Sequence, residues 1–121
     1  MADDLFSRIN KMKDPDSPTD LEKKHHPVIA APDKAKAGEC FEVTVEVGKL
    51  LAHPNENGHF IEFIDIYAGD AYLARLDLTA RTTCPILKVC VNLSEGSGPL
   101  RAFTRCNLHG LWESTKPIAV A

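Results

Sequence analysis

The strongest constraint on the fold is an alternation of apolar and polar side chains that recurs along the chain with a period of two. In residues 40–47, Phe41, Val43 and Val45 share one face, and the residues between them are polar or charged. This period places the apolar side chains on one face of a half-buried β-strand. The same pattern recurs in residues 72–78 and 87–93. These segments predict antiparallel strands with one solvated face.

Two further segments complete the predicted strands. Residues 60–67 are apolar on both faces and predict an interior strand, and residues 100–105 predict a strand that runs into Cys106. Turn-forming residues at 69–70 and 94–99 separate the strands. Five or more short strands with little helix predict an all-β, immunoglobulin-like β-sandwich.

The N-terminal segment differs from the rest of the chain. Residues 3–13 carry apolar side chains at helical spacing, with acidic residues first and lysines last, and they predict a short amphipathic helix. Residues 14–20 are turn formers and predict a linker. We therefore expect a helical arm and linker over residues 1–20 and a sandwich domain over residues 21–121. The charged stretch 21–26 predicts an exposed loop.

Charge and hydropathy narrow the possible functions. The net charge of −3 argues against nonspecific nucleic-acid binding, and no apolar run approaches the roughly 20 residues that span a bilayer. The acidic N-terminus differs from a secretory signal, so we expect a cytoplasmic protein. In that compartment the cysteines at positions 40, 84, 90 and 106 are expected to be thiols or ligands rather than disulfides.

A candidate metal site begins with Cys106 and His109, three residues apart and followed by Gly110. A tight turn can direct the thiol and the imidazole at one point, and a glycine can adopt the positive φ that leaving such a turn requires. Sulfur and nitrogen donors together are typical of a transition-metal site. The other histidines also fall in predicted loops or at strand ends, where function concentrates: His25, His26, His53 and His59.

Ligand counting separates the metals that such a set could hold. Blue copper uses two histidines, one cysteine and a weak axial methionine, but the only methionines are Met1 and Met12. Structural zinc takes four ligands, whereas four imidazoles and one thiolate make five. Five donors would suit a five-coordinate iron with an open sixth position.

Three stretches resemble the superoxide reductases of the neelaredoxin type, which correspond to the iron domain of desulfoferrodoxin. They are the sequences HPNENGH at 53–59, FIEFIDIY at 60–67 and CNLHGLWE at 106–113. The resemblance implies an immunoglobulin-like sandwich with one iron, held by four histidines and an axial cysteine. Matched motif by motif, it implies the ligands His25, His53, His59, Cys106 and His109. It implies reduction of superoxide to hydrogen peroxide by one electron.

The resemblance also implies roles at the open face of the iron. The family has a glutamate and a lysine immediately before its first histidine, whereas Lys23 and Lys24 stand there in this chain and Glu22 lies one place further back. Lys24 keeps the register of the family's lysine, which attracts superoxide, and Lys23 is an alternative. Glu22 is the candidate for the glutamate that caps the oxidised iron. The family further implies an external electron donor such as rubredoxin and association of subunits into a homo-oligomer.

Two other classes of function remain open on the residues alone. One is a non-catalytic β-sandwich in which the cysteine and histidines hold a structural metal such as zinc. The other is an interaction domain whose N-terminal helix contacts a partner.

Overall fold

The computed structural model describes residues 4–121, which form ten strands and one short helix. The elements in chain order are β1 (Ile9–Asn10), α1 (Asp20–His25), β2 (Val28–Ala30), β3 (Lys34–Ala35), β4 (Cys40–Glu46), β5 (Ile61–Ala68), β6 (Ala71–Asp77), β7 (Ile86–Asn92), β8 (Leu100–Cys106), β9 (Gly110–Lys116) and β10 (Ala119–Val120). No helix among these residues has the length and apolar character needed to cross a bilayer.

The strands form two main sheets. The larger sheet has the order β1-β9-β8-β5-β6, and the smaller one has the order β2-β4-β7. A short pair, β3 with β10, lies outside them. Apart from β1, which runs parallel to β9, the strands of the two main sheets pair antiparallel. The predicted strands correspond to β4, β5, β6, β7 and β8.

The core lies between the two sheets. Val43 and Val45 of β4 are fully buried, as are Ile64 and Ile66 of β5 and Leu100 of β8. These side chains belong to one contiguous apolar cluster. Burial of a side chain of this size stabilises a fold by roughly 1.5–3 kcal/mol. The all-β sandwich predicted from the alternation is therefore confirmed.

The predicted N-terminal helix is wrong for the described residues. Residue 3 lies outside them, and the remainder contains turns and the strand β1. Asn10 explains the difference, because its carboxamide donates to the carbonyl oxygens of Leu5 (2.8 Å) and Leu111 (2.9 Å). Phe6 and Ile9 are about half exposed, so they form no buried helical face. An isolated helix of this length is marginal in water, and pairing with the edge of β9 prevails.

The predicted loop at 21–26 is also wrong, because most of it belongs to α1. Thr19 caps the helix: its hydroxyl accepts from the Glu22 backbone N–H at 3.1 Å, and the Glu22 carboxylate accepts from the Thr19 N–H at 2.9 Å. This is a capping box, and its Thr-x-x-Glu signature is present in the sequence. A helix of six residues is too short to show helical periodicity. The division at residues 20 and 21 stays a prediction.

Candidate metal centre

Four parts of the fold bring the five predicted ligands together. His25 is the last residue of α1, and His53 and His59 lie in the loop between β4 and β5. Cys106 ends β8, and His109 lies in the turn that leads into β9. One ligand atom each from His25, His59, Cys106 and His109 lie within 4.8 Å of one another. His53 joins them through its Nε2, which is 3.2 Å from the Nε2 of His25.

The four imidazoles form a closed ring. Neighbouring ring centroids are 4.7 Å apart for His25 and His53, 4.7 Å for His53 and His59, 5.1 Å for His59 and His109, and 4.9 Å for His109 and His25. Each ring meets its neighbours edge to face, with interplanar angles of 61–83°. The four neighbouring separations are nearly equal, as expected if one ion lay between the four rings.

Hydrogen bonds to backbone carbonyls set the tautomer of two histidines. The Nδ1 of His25 contacts the Leu21 carbonyl at 2.7 Å, and the Nδ1 of His53 contacts the Pro54 carbonyl at 2.6 Å. A carbonyl oxygen only accepts, so each Nδ1 carries the proton and each Nε2 presents a lone pair. Two lone pairs therefore face each other at 3.2 Å. Such a contact calls for a cation between the nitrogens.

His59 presents a third nitrogen of this kind. Its Nε2 is buried and has no hydrogen-bond partner among residues 4–121. An unpaired buried nitrogen costs free energy, on the order of 1–3 kcal/mol, unless something binds it. A metal ion at the centre of the histidine ring would satisfy His25, His53 and His59 together.

The turn after Cys106 has the form that the sequence predicts. Gly110 has φ +81°, and a Cβ added there would lie 2.4 Å from the Leu5 carbonyl oxygen. Conformation and space therefore both require glycine at this position. The turn leaves the Sγ of Cys106 3.7 Å from the Nδ1 of His109. Cys106 is fully buried.

Trp112 contacts two of the histidines, and no sequence pattern predicted this role. Its indole Nε1 donates to the His109 carbonyl at 3.0 Å. Its ring stacks on His25, with centroids 5.1 Å apart and planes 19° from parallel. One buried side chain thus fixes two of the histidines relative to each other.

Burial favours the neutral form of three of the imidazoles, those of His25, His53 and His109. The pKa of His25 and the pKa of His53 fall to about 4, chiefly because of burial and in smaller part because of charge repulsion by the neighbouring histidines. The Leu21 and Pro54 carbonyls oppose this effect in part. Burial also lowers the pKa of His109. Neutral imidazole is the form that binds metals, so these rings need no deprotonation near pH 7.

Without a metal, burial favours the protonated thiol of Cys106, which is not the form that binds a metal. Burial raises the pKa of Cys106, and the charge of Glu62 raises it further. Backbone N–H groups of Leu108 and His109 donate to the sulfur and lower that pKa in part. These donors favour the thiolate, which is the form that binds a metal. Four imidazole nitrogens and one sulfur exceed a zinc tetrahedron, and the donor set fits iron.

The three residues predicted at the open face occupy different places. The charge of Lys24 lowers the pKa of His53 and of His109, which puts its ammonium group within electrostatic reach of the ring. Lys23 instead lies 4.0 Å from Asp20 on the same helix.

The carboxylate of Glu22 is engaged by backbone N–H groups outside the histidine ring. Its two carboxylate oxygens accept from the backbone N–H groups of Thr19, at 2.9 Å, and Lys13, at 3.0 Å. These backbone hydrogen bonds lower the pKa of the Glu22 carboxyl group. The carboxylate is therefore charged and held by the backbone at neutral pH.

The remaining histidine and cysteines lie outside the cluster. His26 lines a cavity of about 300 Å³ with Lys11, Met12 and Glu113 among its walls, so the structure separates it from its neighbour His25. Cys40, Cys84 and Cys90 are exposed.

A β-sandwich that gathers four imidazoles and one thiol at a single point has the donor set of a mononuclear non-haem iron protein. The family model for desulfoferrodoxin matches residues 17–115, and the chain belongs to this family. A relative from Methanocaldococcus jannaschii is 45% identical over 93% of this chain and 95% of its own length. The neelaredoxin of Megalodesulfovibrio gigas is 36% identical over 81% of this chain and 88% of its own length. A solved structure of the superoxide reductase (neelaredoxin) from Ignicoccus hospitalis is 38% identical, with a TM-score of 0.73 over 80% of this chain and 81% of that one.

Proposed function

We propose that this protein is a superoxide reductase. The reaction combines superoxide with one electron and two protons and gives hydrogen peroxide. The observation that carries the proposal is the closed ring of four imidazoles beside the buried thiol of Cys106. The family membership and the named relatives support the same function.

The ligands that we propose are His25, His53, His59, His109 and Cys106. Iron bound by them would supply the electron in passing from the ferrous to the ferric state. The Leu21 and Pro54 carbonyls hold two of the imidazoles in the tautomer that offers Nε2. The N–H groups that donate to the Cys106 sulfur stabilise its negative charge and thereby tune the potential of the site.

We propose that Lys24 attracts the substrate. Superoxide is an anion, and the chain has a net charge of −3, so its capture requires a local positive potential. The Lys24 ammonium already acts electrostatically on His53 and His109. Lys23 is the weaker candidate, because Asp20 lies within 4.0 Å of it and offsets part of its charge.

The role of Glu22 as a cap on the oxidised iron stays a prediction. Its hydrogen bonds to Thr19 and Lys13 favour a structural role for the carboxylate in this conformation. An external electron donor such as rubredoxin, association into a homo-oligomer and a cytoplasmic location also stay predictions.

The deciding experiment is metal analysis of protein purified without an affinity tag, combined with visible spectroscopy and product measurement. We expect iron near one equivalent per chain and a visible band that appears on oxidation. In the presence of an electron donor, we expect equal amounts of superoxide consumed and peroxide formed, whereas dismutation would give half as much peroxide. Stoichiometric colourless zinc, or protein with no metal that consumes no superoxide, would overturn the proposal.

A further inference from the structure

The side chain of Asn107 links the cysteine ligand to one of the histidine ligands. Its Oδ1 accepts from the backbone N–H of Phe60 at 2.9 Å, and its Nδ2 donates to the carbonyl of Gly58 at 3.0 Å. Gly58 and Phe60 are the residues on either side of His59. Asn107 directly follows Cys106, so one carboxamide holds the His59 backbone at a fixed place beside the thiol.

The His59 ring depends on its backbone more than the other rings do. Carbonyl groups fix the rings of His25 and His53, whereas no hydrogen bond among residues 4–121 fixes the His59 ring. The His59 backbone pairs with Glu56 in both directions, at 2.9 and 3.1 Å, and this closes a small turn. The turn needs a second attachment to orient it toward the thiol.

Asn107 provides that attachment across the two loops. Its own backbone N–H also donates to the Phe60 carbonyl, at 3.3 Å. Three hydrogen bonds therefore join this single residue to the segment 58–60. Asn107 also begins the turn whose next two N–H groups, from Leu108 and His109, donate to the Cys106 sulfur. Without the carboxamide, the turn at His59 and the N–H groups that donate to the Cys106 sulfur would both be held less firmly.

We propose that Asn107 is a positioning residue that sets the geometry between His59 and the Cys106 sulfur and so tunes the metal centre. This inference rests on the proposed metal site. Residues that orient metal ligands typically change metal affinity about 10–100-fold when they are removed. Their loss also changes the electronic character of the bond between metal and ligand, which a purely structural role elsewhere in the fold would leave unchanged.

The test is a cobalt(II) titration of the metal-free protein, followed through the thiolate-to-cobalt charge-transfer band. The variants are Asn107→Ala, which removes both side-chain hydrogen bonds, and the milder Asn107→Ser, which keeps a short hydroxyl. The matched control is Asn92→Ala on β7, because Asn92 also donates to a backbone carbonyl, that of Gly38 at 3.1 Å, but lies outside the site. We expect cobalt(II) affinity about 10–100-fold weaker in Asn107→Ala, a smaller loss in Asn107→Ser, and wild-type affinity in the control.

The charge-transfer band and amide exchange complete the design. We expect the band of both Asn107 variants to shift, and the amide of Phe60 to exchange faster than in the control. Wild-type affinity and an unshifted band in a folded Asn107 variant would overturn the inference, and Asn107→Ser decides if Asn107→Ala does not fold. A wild-type protein without a thiolate-to-cobalt band would instead count against the proposed metal centre itself.

Discussion

Replacement of Glu22 tests whether this carboxylate stabilises the fold or acts at the metal. In Glu22→Ala, the backbone N–H groups of Thr19 and Lys13 lose their acceptor, and α1 loses half of its capping box. Hydrogen bonds to charged groups contribute about 1.5–3 kcal/mol each, and water would recover part of this because Thr19 and Lys13 are both exposed residues. We therefore expect the free energy of unfolding of the metal-free protein to fall by about 3 kcal/mol.

This loss is large enough to measure by thermal unfolding. An unfolding entropy of about 2.1 cal/mol/K per residue gives about 0.25 kcal/mol/K for a chain of this length, so the melting temperature should fall by about 12 °C. Glu22→Gln keeps one oxygen as an acceptor, and we expect about half of the effect. Asp20→Asn on the same helix is the control. Asp20 is exposed, and its replacement weakens a single ion pair, the 4.0 Å contact with Lys23.

The competing hypothesis makes an opposite pair of predictions. If Glu22 acted mainly as a cap on oxidised iron, Glu22→Gln would change the visible spectrum of the oxidised protein and leave the stability of the metal-free protein unchanged. An unchanged melting temperature for metal-free Glu22→Ala would refute the argument that Glu22 stabilises the N-terminus of α1.

Three further predictions concern the site. Lys24→Ala should slow the second-order reaction with superoxide and reduce the dependence of its rate on salt, as measured by pulse radiolysis. An effect no larger than that of Lys23→Ala would remove Lys24 from the steering role. Cys106→Ser should abolish the thiolate-to-iron charge-transfer band, and a surviving band would disprove the assignment of Cys106 as a ligand. Gly110→Ala should destabilise the protein in urea unfolding by more than Gly96→Ala does. Both glycines have positive φ, which costs about 1–2 kcal/mol for alanine, but only at position 110 does the added Cβ meet backbone, so equal losses would refute the steric argument.

Strands such as β4 and β7 could be predicted because their burial follows a period of two, and β5 because it is apolar on both faces. No such pattern predicted β9, where Trp112, Glu113 and Ser114 are buried in succession and no alternation is visible. The N-terminal arm shows the opposite error. Helical spacing of apolar residues is present there, but the buried carboxamide of Asn10 fixes an extended segment, and one polar side chain gives no periodic signal.

The ligands of the candidate site could be predicted from motifs, whereas their support could not. Cys106, His109 and Gly110 form a short motif in which local spacing determines a turn. The groups that orient the rings are backbone carbonyls, the stacked ring of Trp112 and the carboxamide of Asn107. Each acts across a distance in sequence that only the tertiary structure defines.

Folding and metal binding are linked through protons at this site. The pKa of His25 and of His53 is about 4 in the fold and about 6.5 in an unfolded chain, so the unfolded state takes up protons first as the pH falls. The metal-free protein should therefore lose stability between about pH 6.5 and pH 4, and His25 alone would account for about 3 kcal/mol, because each pKa unit corresponds to 1.36 kcal/mol. A bound cation adds stability but does not remove this dependence on pH, because it binds only unprotonated nitrogens and the thiolate while the unfolded chain still takes up protons. Urea unfolding with and without metal, at pH 7 and at pH 4.5, measures the pH dependence of the stability and the stabilisation by the metal. A metal-free stability that does not change with pH would show that the ring of imidazoles is not desolvated in solution.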